Sequence, residues 1–361
     1  MSPGAPPEHL AAVVARIESA GAQAFVSRGM DRTIVGVIGE GSRLAELTLA
    51  GMPGVATVLR VSEPYKLVNR QARAERSVVW VGSAGREVPV GPGTFTLIAG
   101  PCAVESAAQT LGAARLAAGA GATLLRGGAY KPRAFPGSFQ GLGKDGLRIL
   151  ADVRDATGLY VVTEVIDPAD VDLVASYADM LQIGAANMQN YALLDSVGRQ
   201  RKPILLKRGL QASVDEWLMS AEYVAQRGNC DIVLCERGIR TFETATSATL
   251  DLASIPLVQR LSHLPVVVDP THAAGRRDLV VPLARAAIAA GADGLLIDVH
   301  PDPENALVDG AQALAGAELR ELAAAVRRLP PMLGRRPALP RAEGADSLRL
   351  SSSPTSTSSP T

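Results

Sequence analysis

The sequence predicts an α/β protein, a TIM (β/α)8 barrel preceded by a small α+β domain. From Phe95 onwards, strand-like and helix-like segments alternate eight times over about 235 residues, which matches a TIM barrel in count and length. The intervening segments are rich in alanine and amphipathic, as the outer helices of such a barrel are. Nearly every predicted strand ends in a polar residue, and the active sites of TIM barrels lie at the carboxyl ends of their strands.

The chain divides into five regions. Residues 1–8 are rich in proline and are predicted to be disordered. Residues 9–68 are predicted to form the small domain, with a helix at 9–20, strands at 24–26 and 33–38, a short helix at 43–49 and a strand at 55–61. Residues 69–94 are predicted to be a connector that contains a hairpin of strands 78–81 and 86–90. The barrel is assigned to residues 95–330, and residues 331–361, rich in Pro, Arg, Ser and Thr, are predicted to be a disordered tail.

The eight barrel strands are predicted from short apolar runs, because the strands of a parallel sheet are buried on both faces. They are expected at 95–99, 123–126, 160–164, 180–183, 204–207, 232–235, 266–269 and 294–298.

Composition excludes several classes of protein. The 361 residues are 47% hydrophobic, and 36 Lys+Arg balance 36 Asp+Glu, so neither bulk nucleic-acid binding nor general attraction to a membrane is expected. No apolar run approaches the roughly 20 residues of a membrane span, and residues 1–7 lack the features of a signal peptide. Three cysteines argue against a disulfide framework and favour a reducing compartment. The sequence therefore predicts a cytoplasmic protein.

Basic residues follow several predicted strands. Arg126, Lys131 and Arg133 lie within eight residues of one another, in a loop rich in Gly and Pro. A solvated basic loop is the alternative explanation for Lys131 and Arg133. A larger set of strand-end cations, expected to converge on one cleft, is Arg126, Lys131, Lys207 and Arg237. Four cations in one cleft repel one another unless a polyanion binds there, so a ligand with both phosphate and carboxylate groups is expected.

A second set of strand-end residues suits a metal. Cys102, His272, Asp298 and Asp309 follow predicted strands one, seven and eight, and they offer one sulfur, one nitrogen and two carboxylates. A lone cysteine is usually a packed hydrophobe, but this combination favours a divalent transition metal of the Mn, Fe, Co or Zn class over magnesium. His300 is expected to contact a metal ligand rather than the metal.

Residues 95–315 resemble the type I-beta 3-deoxy-D-arabino-heptulosonate 7-phosphate (DAHP) synthases. The motifs that carry the resemblance are 98–102 (IAGPC), 125–133 (LRGGAYKPR), 138–141 (SFQG), 187–190 (NMQN), 206–209 (LKRG), 235–238 (CERG), 269–275 (DPTHAAG) and 299–301 (VHP). Residues 9–68, with 32–39 (RTIVGVIG) and 64–68 (PYKLV), resemble the ferredoxin-like regulatory domain of that family. Such enzymes condense phosphoenolpyruvate with erythrose 4-phosphate, the first step of the shikimate pathway.

The resemblance implies roles for particular residues. The metal ligands would be Cys102, His272, Asp298 and Asp309. The phosphoenolpyruvate site would comprise Arg126, Lys131, Lys207, Arg237 and the backbone of Ala185 and Ala186, while Arg133 would hold the phosphate of the acceptor sugar. Lys131, as the donor of a proton to the new alkoxide, and His272 are the expected catalytic residues. A homo-oligomer, dimer or tetramer, is also expected.

Four departures from the family pattern set limits on these expectations. Ala134 stands where a hydroxyl residue is usual, Ala186 replaces an arginine, and Asp298 replaces a glutamate and so shortens one ligand by about 1.5 Å. The first strand of the ferredoxin-like domain is also missing, because the proline-rich residues 1–7 cannot pair as one. Two alternatives therefore stand beside DAHP synthesis: a paralogue that uses another aldehyde acceptor, and a catalytically weak regulatory paralogue. Inhibition by tyrosine or phenylalanine is expected to be weak or absent.

Overall fold

Eight parallel strands close into a barrel in the computed structural model, which describes residues 1–28, 33–39, 47–58, 64–83, 85–132 and 135–341. The barrel strands are β5 (Thr94–Gly100), β6 (Leu124–Arg126), β7 (Tyr160–Glu164), β8 (Met180–Ile183), β9 (Ile204–Lys207), β10 (Ile232–Glu236), β11 (Val266–Val268) and β12 (Gly294–Asp298). Neighbours along the chain pair with one another, and β12 pairs with β5, with Asp298 opposite Gly100. The predicted α/β barrel is confirmed.

Helices surround this barrel. They are α2 (Ala107–Gly119), α3 (Lys144–Thr157), α4 (Val171–Tyr177), α5 (Tyr191–Gly198), α6 (Val214–Gln226), α7 (Ser254–Leu261), α8 (Pro270–Ala274), α9 (Arg277–Ala289) and α10 (Gly316–Met332). Local sequence sets their ends: Ser213 and Glu216 form a capping box at the start of α6, and Gly158 ends α3 in the left-handed conformation. No helix among the described residues is both long enough and apolar enough to cross a membrane.

A hairpin closes the amino-terminal end of the barrel. Its strands, β3 (Val79–Val81) and β4 (Val88–Val90), are antiparallel. Their four valines, Val79, Val81, Val88 and Val90, pack in one cluster with the residues that fill the barrel interior, Ile98, Leu124, Val162, Met180, Leu205, Val233, Val267 and Leu296. This apolar plug leaves the opposite end of the barrel, at the carboxyl ends of the strands, for polar chemistry.

The small domain contains α1 (Pro7–Ser19), β1 (Gln23–Arg28) and β2 (Thr33–Ile38), with β1 and β2 antiparallel. Val13, Ile17, Ala22 and Leu49 form its core. Residues 43–46 of the predicted helix and 59–61 of the predicted strand lie outside the described residues. Residues 47–49 are not helical and residues 55–58 form no strand, so the strand predicted at 55–61 is wrong over its first four residues. Residues 1–6 form no strand, but the expected disorder of residues 1–8 is wrong. The Met1 ammonium donates to the Thr33 carbonyl over 2.7 Å, and Pro7 begins α1, a position that needs no backbone N–H.

The expected disorder of the tail is also wrong for its first eleven residues. Helix α10 continues to Met332, and a short strand, β13 (Arg336–Pro337), pairs in parallel with the start of β5. Ala338 is 3% exposed and belongs to the cluster inside the barrel. The pairing with β5 buries apolar surface and satisfies backbone hydrogen-bonding groups. The composition of the segment, rich in Pro and Arg, gave no indication of this pairing. Residues 342–361 lie outside the described ranges.

Candidate active site

Four ligand-type side chains converge at the carboxyl end of the barrel. Suitable atoms of Cys102, His272, Asp298 and Asp309 all lie within 4.8 Å of one another. Cys102 Sγ is 2.9 Å from Asp309 Oδ2, and His272 Nε2 is 3.7 Å from each of those two atoms. The convergence depends on Gly100, because a Cβ there would lie 2.1 Å from the Arg126 carbonyl oxygen.

Asp309 has an uncommon backbone conformation. Its φ is 56°, and within the described residues it is the only non-glycine residue with positive φ. Strained residues of this kind persist only where the surrounding structure holds them, and they cluster at functional sites. Its carboxyl group is half-buried, which works against ionisation, yet its pKa is lowered by the Cys102 thiol and by His272 and Lys131.

Asp269 orients His272. It caps the start of α8, where its Oδ1 accepts from the His272 backbone N–H at 3.0 Å and from the Thr271 hydroxyl at 2.6 Å. Its Oδ2 lies 2.8 Å from His272 Nδ1 and accepts from Lys207 Nζ at 2.6 Å. His272 Nδ1 therefore faces a carboxylate while Nε2 faces Cys102 and Asp309, the usual arrangement of a metal-binding histidine.

Two neighbouring carboxylates favour the protonated form of His272. Burial disfavours the imidazolium, but Asp269 and Asp298 outweigh that effect and raise the pKa of His272 to about 9. A metal ligand must be the neutral imidazole, so a metal that bound at Nε2 would displace this proton.

Asp298 is fully buried, and both of its oxygens have partners. Oδ1 pairs with the Arg126 guanidinium, and Oδ2 accepts from Gln312 Nε2 at 2.8 Å. The same Oδ2 lies 3.6 Å from His272 Nδ1. Coordination by Asp298 therefore requires a shift of its carboxylate relative to Gln312 or Arg126.

The predicted cations lie at the same end of the barrel, and three of them are buried. Arg126, Lys131 and Lys207 are 2%, 7% and 4% exposed, and the half-buried Arg237 donates to the His272 carbonyl at 3.5 Å. The expectation that these charges repel without a polyanion was incomplete. Asp298 neutralises Arg126 and Asp269 neutralises Lys207.

Lys131 lies beside the cysteine. Its Nζ is 3.1 Å from Cys102 Sγ and 3.2 Å from the Cys102 carbonyl oxygen. Burial disfavours the Cys102 thiolate, but the charges of Lys131 and Arg126 outweigh that effect and lower its pKa below the ordinary value. A thiolate is the form that binds a metal.

The remaining predicted site residues belong to two loops. Ala185 and Ala186 lie in a short 3-10 turn, Ala185–Asn187, directly after β8, with Ala185 half-buried and Ala186 exposed. Arg133 and Ala134 lie outside the described residues.

Sequence reasoning gave no role to two residues of this site. Asp269 was expected only as the polar end of the seventh strand, although Asp-Pro at the start of a helix is a capping signature and three residues separate it from His272. Gln312 carried no signal, because its role depends on the loop after β12 turning back towards Asp298.

Residues 71–333 match the model of the DAHP synthetase I family, and residues 1–63 match that of the DAHP synthase ferredoxin-like domain. The chain belongs to the DAHP synthetase I family. It is 47% identical over 334 residues to a phospho-2-dehydro-3-deoxyheptonate aldolase of Thermotoga maritima, an alignment that covers 92% of this chain and 98% of that protein. A 2-dehydro-3-deoxyphosphooctonate aldolase of Syntrophotalea carbinolica is 37% identical, over 60% of this chain and 84% of its own length.

Solved structures of the family agree. The crystal structure of the Thermotoga maritima DAHP synthase superposes with a TM-score of 0.74 at 46% identity, covering 93% of this chain and 97% of that one. A truncated form of the Thermotoga enzyme gives a TM-score of 0.70 and covers 76% of this chain. The resemblance stated from the motifs is thus confirmed.

Proposed function

We propose that this protein is a 3-deoxy-7-phosphoheptulonate synthase, which condenses phosphoenolpyruvate with erythrose 4-phosphate in the first step of the shikimate pathway. The observation that carries the proposal is the cluster of Cys102, His272, Asp298 and Asp309 beside buried Arg126, Lys131 and Lys207. The similarity to the Thermotoga heptonate aldolase extends over 92% of the chain, whereas the octonate aldolase matches only 60%.

The donor site is assigned to Arg126, Lys131, Lys207 and Arg237, with the backbone of Ala185 and Ala186. Phosphoenolpyruvate carries a phosphate and a carboxylate, and both suit buried cations that are already fixed by neighbouring carboxylates. Arg133 is assigned to the phosphate of the acceptor sugar.

The metal site is assigned to Cys102, His272, Asp298 and Asp309, with a divalent ion of the Mn, Fe, Co or Zn class. The mixture of sulfur, nitrogen and oxygen donors fits such an ion, and the Asp269–His272 contact is the support that metal-binding histidines usually have. When bound, the ion supplies a Lewis acid for the acceptor aldehyde or activates a water.

The chemistry follows from this placement. C3 of phosphoenolpyruvate attacks the aldehyde carbon of erythrose 4-phosphate, and the new alkoxide takes a proton from Lys131 Nζ. Water adds at C2, which the attack has left cationic, and the bond from C2 to the phosphate oxygen then breaks. Inorganic phosphate leaves, the water oxygen becomes the ketone oxygen, and one proton of the water restores Lys131. Arg126, Lys207 and Arg237 stabilise the charge that moves onto the departing phosphoryl group.

The test is an assay of phosphate release with phosphoenolpyruvate and a panel of aldose phosphates of four and five carbons, with the product identified by mass. We expect a seven-carbon product from erythrose 4-phosphate, and loss of turnover after treatment with a chelator. A strong preference for another aldehyde supports the altered-acceptor alternative. The absence of turnover with every aldehyde supports the regulatory paralogue.

We also propose a cytoplasmic homo-oligomer, dimer or tetramer, in which the ferredoxin-like domain has a regulatory role. A reducing compartment suits the three cysteines, which form no disulfide. Light scattering on the purified protein tests the assembly, and titration with aromatic amino acids tests the regulation.

A further inference from the structure

Glu105 connects three chain segments at the carboxyl end of the barrel strands, here called the mouth of the barrel. Its Oε1 accepts from the Leu307 backbone N–H at 2.9 Å, and its Oε2 lies 3.4 Å from His300 Nε2. His300 Nδ1 accepts from the Asp302 backbone N–H at 3.0 Å. This assigns the ring proton to Nε2, where it faces Glu105.

Each of these segments carries a candidate metal ligand. Glu105 follows Cys102 by three residues, His300 follows Asp298 by two, and Leu307 precedes Asp309 by two. The Glu105 carboxylate therefore holds together the segments that carry Cys102, Asp298 and Asp309. The fourth ligand, His272, has its own support in Asp269.

The Asp309 loop depends on such support, because its conformation is strained. A residue with a φ of 56° relaxes to negative φ when its neighbours release it. Val308 packs against Cys102, Ala103 and Phe139, and on the other flank Arg277 donates to the Gly310 carbonyl at 3.1 Å. Beside the packing of Val308, Glu105 adds a hydrogen bond between the backbone of this loop and the segment of Cys102.

We propose that Glu105 is a positioning residue for the metal centre, which sets the affinity for the divalent ion by holding the Asp309 loop against Cys102 through Leu307 and His300. The inference rests on the metal site of the proposed function. Residues that orient metal ligands typically change metal affinity by about 10–100-fold when they are replaced.

The test measures the Kd for Co²⁺ by competition with a chelator, together with the charge-transfer absorption of the cobalt–thiolate bond. Glu105→Ala is expected to raise the Kd about 10–100-fold. Glu105→Gln is expected to fall at the lower end of that range. Its amide oxygen still accepts from Leu307, but its NH2 group meets the N–H of His300, and both are donors.

Glu243→Ala is the matched control. Glu243 also accepts backbone N–H groups in a loop, those of Thr244 at 2.7 Å and Ala245 at 2.8 Å, but within the described ranges no hydrogen bond or ion pair joins it to a candidate ligand segment. Its Kd is expected to equal that of the wild type. Thermal unfolding of the metal-free proteins shows whether each variant is folded at the temperature of the titration.

The outcomes separate three cases. A raised Kd in Glu105→Ala and Glu105→Gln, with folded protein and an unaffected control, supports the inference. An unchanged Kd in folded Glu105→Gln overturns it, even if the variant unfolds at a lower temperature, because the role is then only structural. If the wild type binds no Co²⁺ and shows no cobalt–thiolate absorption, the metal centre itself is overturned and the inference with it.

Discussion

Strand β12 places a fully buried aspartate at each end of the barrel, Asp293 just before the strand and Asp298 as its last residue. Both aspartates pair with arginine, but their partners differ in kind. Asp293 binds Arg76 of the connector and Arg335 of the carboxyl-terminal segment, and it accepts from the Val266 backbone N–H at 2.8 Å. These partners join the segment that precedes the barrel and the segment that follows it to the closed end of the barrel.

Asp298 instead contacts residues at the proposed metal and substrate site. Its carboxylate pairs with Arg126, accepts from Gln312, and lies 3.6 Å from His272 Nδ1. These neighbours lie at the carboxyl end of the barrel, among the residues assigned to the metal and the substrate. One residue type, equally buried, thus has structural partners at one end and the residues of the proposed site as partners at the other. Substitutions at the two ends should therefore separate stability from activity.

The largest effect is expected at the mouth, from Cys102→Ala. Loss of the only thiolate of the metal set removes several kcal/mol of transition-state stabilisation, so turnover should fall at least about 10³-fold. The melting temperature of the metal-free protein should change little. Phosphate release and thermal unfolding measure the two quantities.

Cys235→Ala is the matched control for that variant. Cys235 is equally buried, but it lies in the apolar cluster inside the barrel, and burial raises the pKa of its thiol. Replacing it should lower stability by about 1 kcal/mol and leave turnover intact. Full activity of Cys102→Ala would refute the role of the thiolate.

At the closed end, Asp293→Ala should lower the free energy of unfolding by about 3–5 kcal/mol, because it leaves two partly buried arginines, Arg76 and Arg335, without their carboxylate. Turnover per folded molecule should stay at the wild-type value below the melting temperature. Urea unfolding and the assay measure both. Asp278→Ala, which breaks the exposed pair with Arg276, is the control and should leave the free energy of unfolding nearly unchanged, because solvent screens this pair. A loss of activity in folded Asp293→Ala would contradict the division between the two ends.

The sequence predicted the barrel well because its strands are buried on both faces. The segments 160–164, 180–183, 204–207 and 294–298 were predicted with the bounds that the structure has. Three of them are apolar runs that stop at a charged residue, and 180–183 is a largely apolar run that stops before Gly184. The same rule located Cys102 and His272, because strand ends meet at one mouth.

The ion pairs of the site could not be predicted from the sequence. Arg126 and Asp298 are 172 residues apart, and Lys207 and Asp269 are 62 apart, so these contacts exist only once the barrel has closed. β13 was missed for a related reason: Pro337 lowers strand propensity, and the pairing depends on the exposed start of β5. His263 gave no signal either, yet it is buried between the connector and β11.

His263 provides the next prediction at the closed end. Its Nε2 contacts the Leu67 carbonyl at 2.9 Å and its Nδ1 contacts the Ser77 hydroxyl at 2.7 Å. Burial, helped by Arg73 and Arg70, lowers the pKa of His263 to about 4. The unfolded chain takes up this proton near pH 6.5, so stability is complete above that pH and is lost as the pH falls towards 4. The loss amounts to about 3 kcal/mol.

The measurement is urea unfolding of the wild type and His263→Gln between pH 4 and pH 7. Glutamine can still donate and accept but does not titrate, so its stability should fall less steeply with acid, by about 3 kcal/mol over the interval. Parallel curves for the two proteins would show that His263 is not the group responsible.

The smallest effect is expected at the mouth, from Ala186→Arg. Ala186 is exposed in the turn after β8, where related synthases are expected to carry an arginine for the donor's phosphate. A charge-assisted hydrogen bond to phosphate contributes about 1.5–3 kcal/mol, so the KM for phosphoenolpyruvate should fall by about one to two decades. Ala186→Gln adds similar length without charge and should change this KM much less. If arginine leaves the KM for phosphoenolpyruvate unchanged while the metal content is normal, position 186 does not face the donor. The wild-type cations at 126, 207 and 237 would then suffice for the donor, and the departure at position 186 would have no effect on its binding.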